Sequence, residues 1–232
     1  MKKTPNAFFA LAKDKETNAL NLYLYDDIEG DSYDFWTGEL IESNTSALAI
    51  AKKIEEAGDV SEINVYINSY GGDVKEGLGI YTQLKRSEAT ITAYIDGFAC
   101  SIASVIAMAA DKVVMGPASL MMIHKAWTCA CGNADELRKV ADDLDVIDTS
   151  IREAYAAKTG DKMGEDTLVD LLSAETWLTA QQCVDYGLAD EISTNKAATE
   201  EADKALEEAK EESKQAALGE KLSCMLQMVI KN

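Results

Sequence analysis

The chain has 232 residues, 47% of them apolar, and a net charge of −19, enough for one well-filled domain plus an appendage. Such acidity excludes the basic footprint that nucleic-acid binding needs and disfavours docking on anionic lipid; it reads as solubility before it reads as an acidic binding surface. No run of 18 apolar residues occurs, the most apolar window (Ile91–Ala110) is broken by Asp96, Gly97, Ser101 and Ser104, and polar Met1–Lys15 has no signal-peptide core. A cytoplasmic protein is therefore expected.

Leu20–Asp26 alternates apolar and polar residues and predicts a strand. Asn44–Ala57 predicts a helix, and Ile63–Asn68 (INVYIN) a second strand that ends in the tight turn Ser69-Tyr70-Gly71-Gly72. Asp73 and Glu76 have capping-box spacing, so a helix is expected to about Arg86. Ala89–Ile95 is β-branched and predicts a strand. A turn at Gly97–Ala99 and a small-residue buried helix from Ser101 to Ala110 follow. Lys112–Met115 and Leu120–Ile123 predict short strands. Asn133 and Glu136 form another capping box, opening a long helix to about Lys158 that Thr159-Gly160 stops. Thr179 and Gln182 cap one more helix, ended by Gly187. Strand, turn and helix recur in the manner of an α/β fold with a largely parallel sheet.

From about Thr194 the composition shifts to Ala, Glu and Lys, which predicts a solvated helix or a disordered tail. The last apolar stretch, Leu222–Ile230, suits either a partner-binding helix or one packed back on the domain. The division expected is an N-terminal segment (1–19), one domain (20–193) and an acidic tail (194–232). Five cysteines, an odd number, predict free thiols. Cys129-Ala-Cys131 lacks the second pair a zinc site needs, so no metal is expected.

Three features carry chemistry. His124, the one histidine, ends a hydrophobic strand, a place for either a packed residue or a base. Ser101 stands where a strand gives way to a helix, so it is a helix cap or a nucleophile whose neighbouring amides can stabilise an oxyanion. Ser104 is a rival nucleophile, one turn into the apolar helix, where a hydroxyl more often bonds the backbone behind it. Gly71-Gly72 is either a turn needing positive φ or a site of close backbone approach to a substrate.

Asn68-Ser-Tyr-Gly-Gly-Asp-Val74, Gly97-Phe-Ala-Cys-Ser101, Met121-Met-Ile-His124 and Trp177-Leu-Thr-Ala180 with Tyr186-Gly-Leu188 stand in the order of the Clp protease proteolytic subunit, and the chain resembles that family from about Leu20 to Ile192. The variant most similar is the phage and prophage head-maturation type. The resemblance implies a ClpP/crotonase-like spiral of β-β-α units with a protruding handle helix. It implies a serine endopeptidase with Ser101 as nucleophile, His124 as general base, and the Gly72 and Ile102 amides as the oxyanion hole. The family's third, acidic member falls at Glu175, a departure from the usual Asp, with Asp170 as a nearby rival. Tyr70 stands where the family usually has Pro, which is expected to loosen the glycine turn, and Cys100 beside the nucleophile reads as a small buried filler.

The resemblance further implies a homo-oligomeric ring, heptameric or doubled to a tetradecamer, acting on peptide or protein substrates without a cofactor. Capsid or scaffold proteins, or an ATPase ring, are the partners it suggests. The chain itself has no G-x-x-x-x-G-K-[ST] motif. Helix 133–158 matches the handle, and its Leu137, Val140, Leu144, Ile147 and Ile151 could face either the core or a second ring. Two other readings stay open: a catalytically impaired assembly protein on the same fold, and a crotonase-type acyl-CoA enzyme.

Overall fold

The computed structural model describes residues 18–193; the expected acidic tail and most of the N-terminal segment lie outside the described residues. Strand β1 (Ala19–Leu24) leads into a short hairpin, β2 (Ser32–Tyr33) and β3 (Leu40–Ile41), then helix α1 (Ala47–Ala57) and strand β4 (Glu62–Ser69). Helix α2 (Val74–Arg86), strand β5 (Thr90–Cys100), helix α3 (Ile102–Ala107) and strands β6 (Lys112–Met115) and β7 (Leu120–Ile123) follow. The long helix α4 (Ala134–Thr159) ends in a 3-10 turn at Gly160–Lys162, and α5 (Glu165–Ser173), β8 (Thr176–Thr179), α6 (Ala180–Tyr186) and β9 (Glu191–Ile192) complete the described chain.

Strands β1, β4, β5, β6 and β9 pair in that order, all parallel; β7 runs parallel to the end of β5 and antiparallel to β8. This is the α/β architecture expected. Alternation along the strands explains its layers. Leu22, Val65 and Ala93 are buried on one face, while Tyr23, Tyr66 and Tyr94 share a register on the other. Their rings stack at centroid distances of 4.8 and 5.0 Å. The apolar core lies between the helices and the first face. Among the described residues, no helix is long and apolar enough to cross a membrane.

Two local expectations are corrected. Gly97–Ala99 is not a turn: β5 runs on to Cys100, because β7 takes over as its partner at Phe98 after β6 ends at Met115. Gly97 belongs there for space, since a Cβ on it would lie 2.4 Å from Asn68 Oδ1. The second correction concerns Glu76. Asp73 caps α2 by accepting from the Lys75 and Glu76 amides, but the Glu76 carboxylate does not reach back to it. It accepts instead from the Ala47 N–H at 2.8 Å, joining the starts of two helices. The capping boxes at Asn133 and Thr179 form as expected.

Helix α4 is divided. Residues 134–146 contribute no buried side chain, with Val146 70% exposed, whereas Asp148, Ile151, Ala154, Tyr155 and Thr159 are buried. Its C-terminal end is tied to the sheet by Lys158, whose side chain is 9% exposed. The Lys158 Nζ donates to the Ala110 and Asp111 carbonyls at 3.3 and 3.1 Å and to Asp190 at 2.7 Å. Burial alone would push the Asp190 carboxyl up, but Lys158 and the Val113 N–H outweigh it and hold it below the usual carboxylate range. A depressed carboxyl stabilises the fold above its unfolded pKa and loses that contribution as pH falls. Lys158→Met should therefore cost about 1–2 kcal/mol at pH 7, in denaturant unfolding, and the gap to the parent should narrow below about pH 4.

Candidate active site

Ser101 is the hinge between β5 and α3. Its backbone adopts φ 53° and ψ −130°, a strained combination for a non-glycine residue, fixed by its N–H donating to the Met122 carbonyl at 2.8 Å. The parallel register pairs Cys100 with Met122, so His124, just past the end of β7, comes level with the serine. His124 Nε2 lies 2.7 Å from Ser101 Oγ, and both residues are half-buried. A base within hydrogen-bonding reach of a hydroxyl is the arrangement nucleophilic catalysis needs.

The glycine turn approaches from β4. Gly71 and Gly72 have φ of 102° and 139°, and a Cβ on Gly71 would lie 2.7 Å from Ser101 Cβ and 2.8 Å from the Cys100 carbonyl oxygen. Only glycine satisfies both demands. The turn is held firmly despite Tyr70. The Ile28 N–H donates to the Gly71 carbonyl at 2.6 Å and the Asp73 N–H to the Ile28 carbonyl at 2.7 Å. Ser69 Oγ donates to the Asp26 carbonyl and accepts the Gly71 N–H, and Asn68 Oδ1 accepts the Phe98 N–H. Among the described residues, none of the backbone bonds around this turn draws on the amides of Gly72 or Ile102. Ser69 and Asn68 are parts of the site that sequence reasoning passed over. Their signal was a pair of short polar residues directly ahead of the glycines, the type that bonds nearby backbone.

Ser104 does not compete as a nucleophile. Its Oγ donates to the Ser101 carbonyl at 2.5 Å and lies 2.7 Å from the Tyr155 hydroxyl, which burial pushes well above the usual phenol range. Beyond His124, the Lys125 N–H donates to the Leu172 carbonyl of α5 at 3.3 Å, and the Ala126 N–H to Asp148 Oδ1 of α4 at 2.8 Å. Glu175 stands between α5 and β8 with φ 50°. The antiparallel pairing of Ile123 with Thr176 sets Glu175 across from His124 in register. Its side chain is exposed. Asp170 lies one turn back within α5 and is exposed. Among the described residues, no cluster of His, Cys, Asp or Glu could hold a metal. Cys100, Cys131 and Cys183 are free thiols; Cys129 is disulfide-bonded, which corrects the expectation of free thiols there.

A serine–histidine pair at the edge of a parallel sheet, with a glycine turn against it, is the equipment of a serine-type hydrolase. The family model for Clp protease matches residues 36–196, well over half the chain, and the chain belongs to the Clp protease family, which makes it a serine-type peptidase by descent. It is 26% identical over 200 residues to the ATP-dependent Clp protease proteolytic subunit of Pleurastrum terricola, across 83% of this chain and 97% of that one. It is 32% identical over 163 residues to the subunit of that name from Ligilactobacillus salivarius, across 69% of this chain and 82% of that one. Among solved structures, a mutant ClpP1 from Listeria monocytogenes superposes with a TM-score of 0.62 at 22% identity, covering 78% of this chain and 94% of that chain. The common architecture is therefore the ClpP fold.

Cys100 is fully buried against Leu120, Met122 and Trp177, and burial pushes its thiol far above the usual range. Brief iodoacetamide treatment of the native protein at about pH 8 should alkylate exposed Cys131 and leave Cys100 and Cys183 unmodified by mass spectrometry. Gly71→Ala should slow phosphonate labelling of Ser101 by about a hundredfold or more, because the added methyl displaces the serine it touches.

Proposed function

We propose that the protein is a serine endopeptidase in which Ser101 attacks the peptide carbonyl, His124 removes the hydroxyl proton and returns it to the leaving amine, and water resolves the acyl-enzyme. The observation that carries this reading is the 2.7 Å approach of His124 Nε2 to Ser101 Oγ. The Gly72 and Ile102 amides serve as the oxyanion hole: Ile102 follows Ser101, Gly72 follows the glycine that lies against Ser101, and neither is drawn on by the turn's own backbone bonds. Glu175 is the third member, supported by its register opposite His124; it orients the imidazole once the carboxylate swings in.

The subunits work as a homo-oligomeric ring in the manner of the family, alone or with an ATPase partner. The unpacked first half of α4 and the exposed aromatics of the β2–β3 hairpin, Phe35 at 88% and Trp36 at 89%, support burial against other copies or partners. The phage or prophage head-maturation role, trimming capsid or scaffold precursors, rests on the likeness of the Ser101 and Trp177 strings to that group. An impaired assembly protein on the same fold is the second reading, favoured by the exposed Glu175 carboxylate.

Peptide hydrolysis and phosphonate labelling separate the two. Ser101→Ala and His124→Ala should each lower kcat by about a thousandfold or more and abolish labelling at Ser101. Glu175→Ala should lower kcat by roughly tenfold to a hundredfold, with Glu175→Asp retaining most of the activity. A stable ring that neither hydrolyses peptides nor labels at Ser101 establishes the assembly reading instead.

A further inference from the structure

Of the polar groups buried along α4, Asp148 and Tyr155 bond to segments that adjoin Ser101 and His124. Asp148 is 8% exposed, and its Oδ1 accepts the Ala126 N–H, two residues beyond His124. Tyr155, two turns further along the helix, meets Ser104, which donates to the Ser101 carbonyl. A buried carboxylate is costly unless it is hydrogen-bonded, and a leucine at 148 would continue the apolar stripe of Ile147 and Ile151. The Ala126 amide is the partner that makes the aspartate tenable. It lies in a stretch that needs anchoring: β7 ends at Ile123, so His124 and the residues after it have left the sheet. Lys125 is held by a neutral carbonyl of α5 at 3.3 Å; Ala126 is held by a charged acceptor at 2.8 Å, and charge-assisted bonds are the stronger kind.

We infer that Asp148 is a positioning residue of the peptidase: its carboxylate fixes the peptide that carries His124, and through it the distance from Nε2 to Ser101 Oγ. It touches neither the substrate nor the reacting atoms. The inference rests on the peptidase reading of Ser101 and His124. Because the chain has a single histidine, the imidazole Cε1–H and Cδ2–H give one unambiguous pair of NMR signals, of which the Cε1–H signal reports the surroundings of His124 whether or not the protein turns over.

The test uses the full-length assembled protein as Asp148→Ala and Asp148→Asn. It reads kcat and KM on a fluorogenic peptide, the rate of Ser101 phosphonylation, and the His124 Cε1–H NMR signal. Asp148→Ala should lower kcat and phosphonylation together by about tenfold or more, leave KM within about threefold, and move the His124 signal and its titration midpoint. Asp148→Asn, which keeps an acceptor for the Ala126 N–H, should recover both rates to within about threefold of the parent. The inference is overturned if Asp148→Ala keeps both rates within about twofold, if the asparagine falls as far as the alanine, or if the His124 signal does not move. A parent protein that never phosphonylates at Ser101 overturns the peptidase reading instead, and the NMR arm still decides whether Asp148 holds His124.

Discussion

Strand β5 outlasts its first partner. It pairs with β6 as far as Ile95 and Met115, then with β7 from Phe98 and Leu120 onward, and the site depends on that exchange. Because β7 joins β5 in parallel, the chain leaving β5 at Ser101 and the chain leaving β7 at His124 emerge side by side at one sheet edge. A strand ending at Ile95 would have left the serine without its bond to the Met122 carbonyl, and the strained backbone at Ser101 without support. The strain, of order 1–3 kcal/mol for such a conformation, is borne by the buried strands on either side.

Around that edge, each functional group is held by something built for another purpose. The glycine turn is fixed by Ile28, in the segment after β1, and by Ser69, and its backbone bonds leave the Gly72 amide undrawn. Helix α3 begins at the serine and is pinned from behind by Ser104 and Tyr155. Among the described residues, helix α4 buries side chains in its C-terminal half, Asp148 to Thr159, and none in its first half. Preorganised donors and fixed side-chain distances are what lower a barrier in a serine hydrolase, and under the proposed mechanism strand register and helix packing would supply them.

Much of this was legible in the sequence. Alternation in Leu20–Asp26 and Ile63–Asn68 marked β1 and β4, and Asn133 with Glu136 marked the start of α4, because these signals are local. Ser101 and His124 stood out as a serine opening a small-residue helix and a lone histidine closing a strand. The exchange of partners by β5 was not legible, since Gly97 reads as a turn unless one knows that Asn68 lies against it. Glu76 had the spacing of a capping box, but a tertiary partner, the Ala47 amide, outcompeted the local one. Strand β8, hidden in the Glu175–Thr179 string, forms through pairing with β7, and no periodicity in four residues announces that. The placement of Glu175 is likewise a matter of antiparallel register and backbone at positive φ, neither of which a single sequence encodes visibly.

The central claim is spatial: one reacting carbon can sit within reach of Ser101 Oγ while its oxygen meets the Gly72 and Ile102 amides. A crystal structure of the protein phosphonylated at Ser101 tests it directly. The account predicts a phosphorus–Oγ bond with the phosphoryl oxygen about 2.7–3.1 Å from both amide nitrogens and the His124 imidazole still beside Oγ. An adduct whose phosphoryl oxygen points away from both amides, or an adduct formed at a different serine, would contradict it.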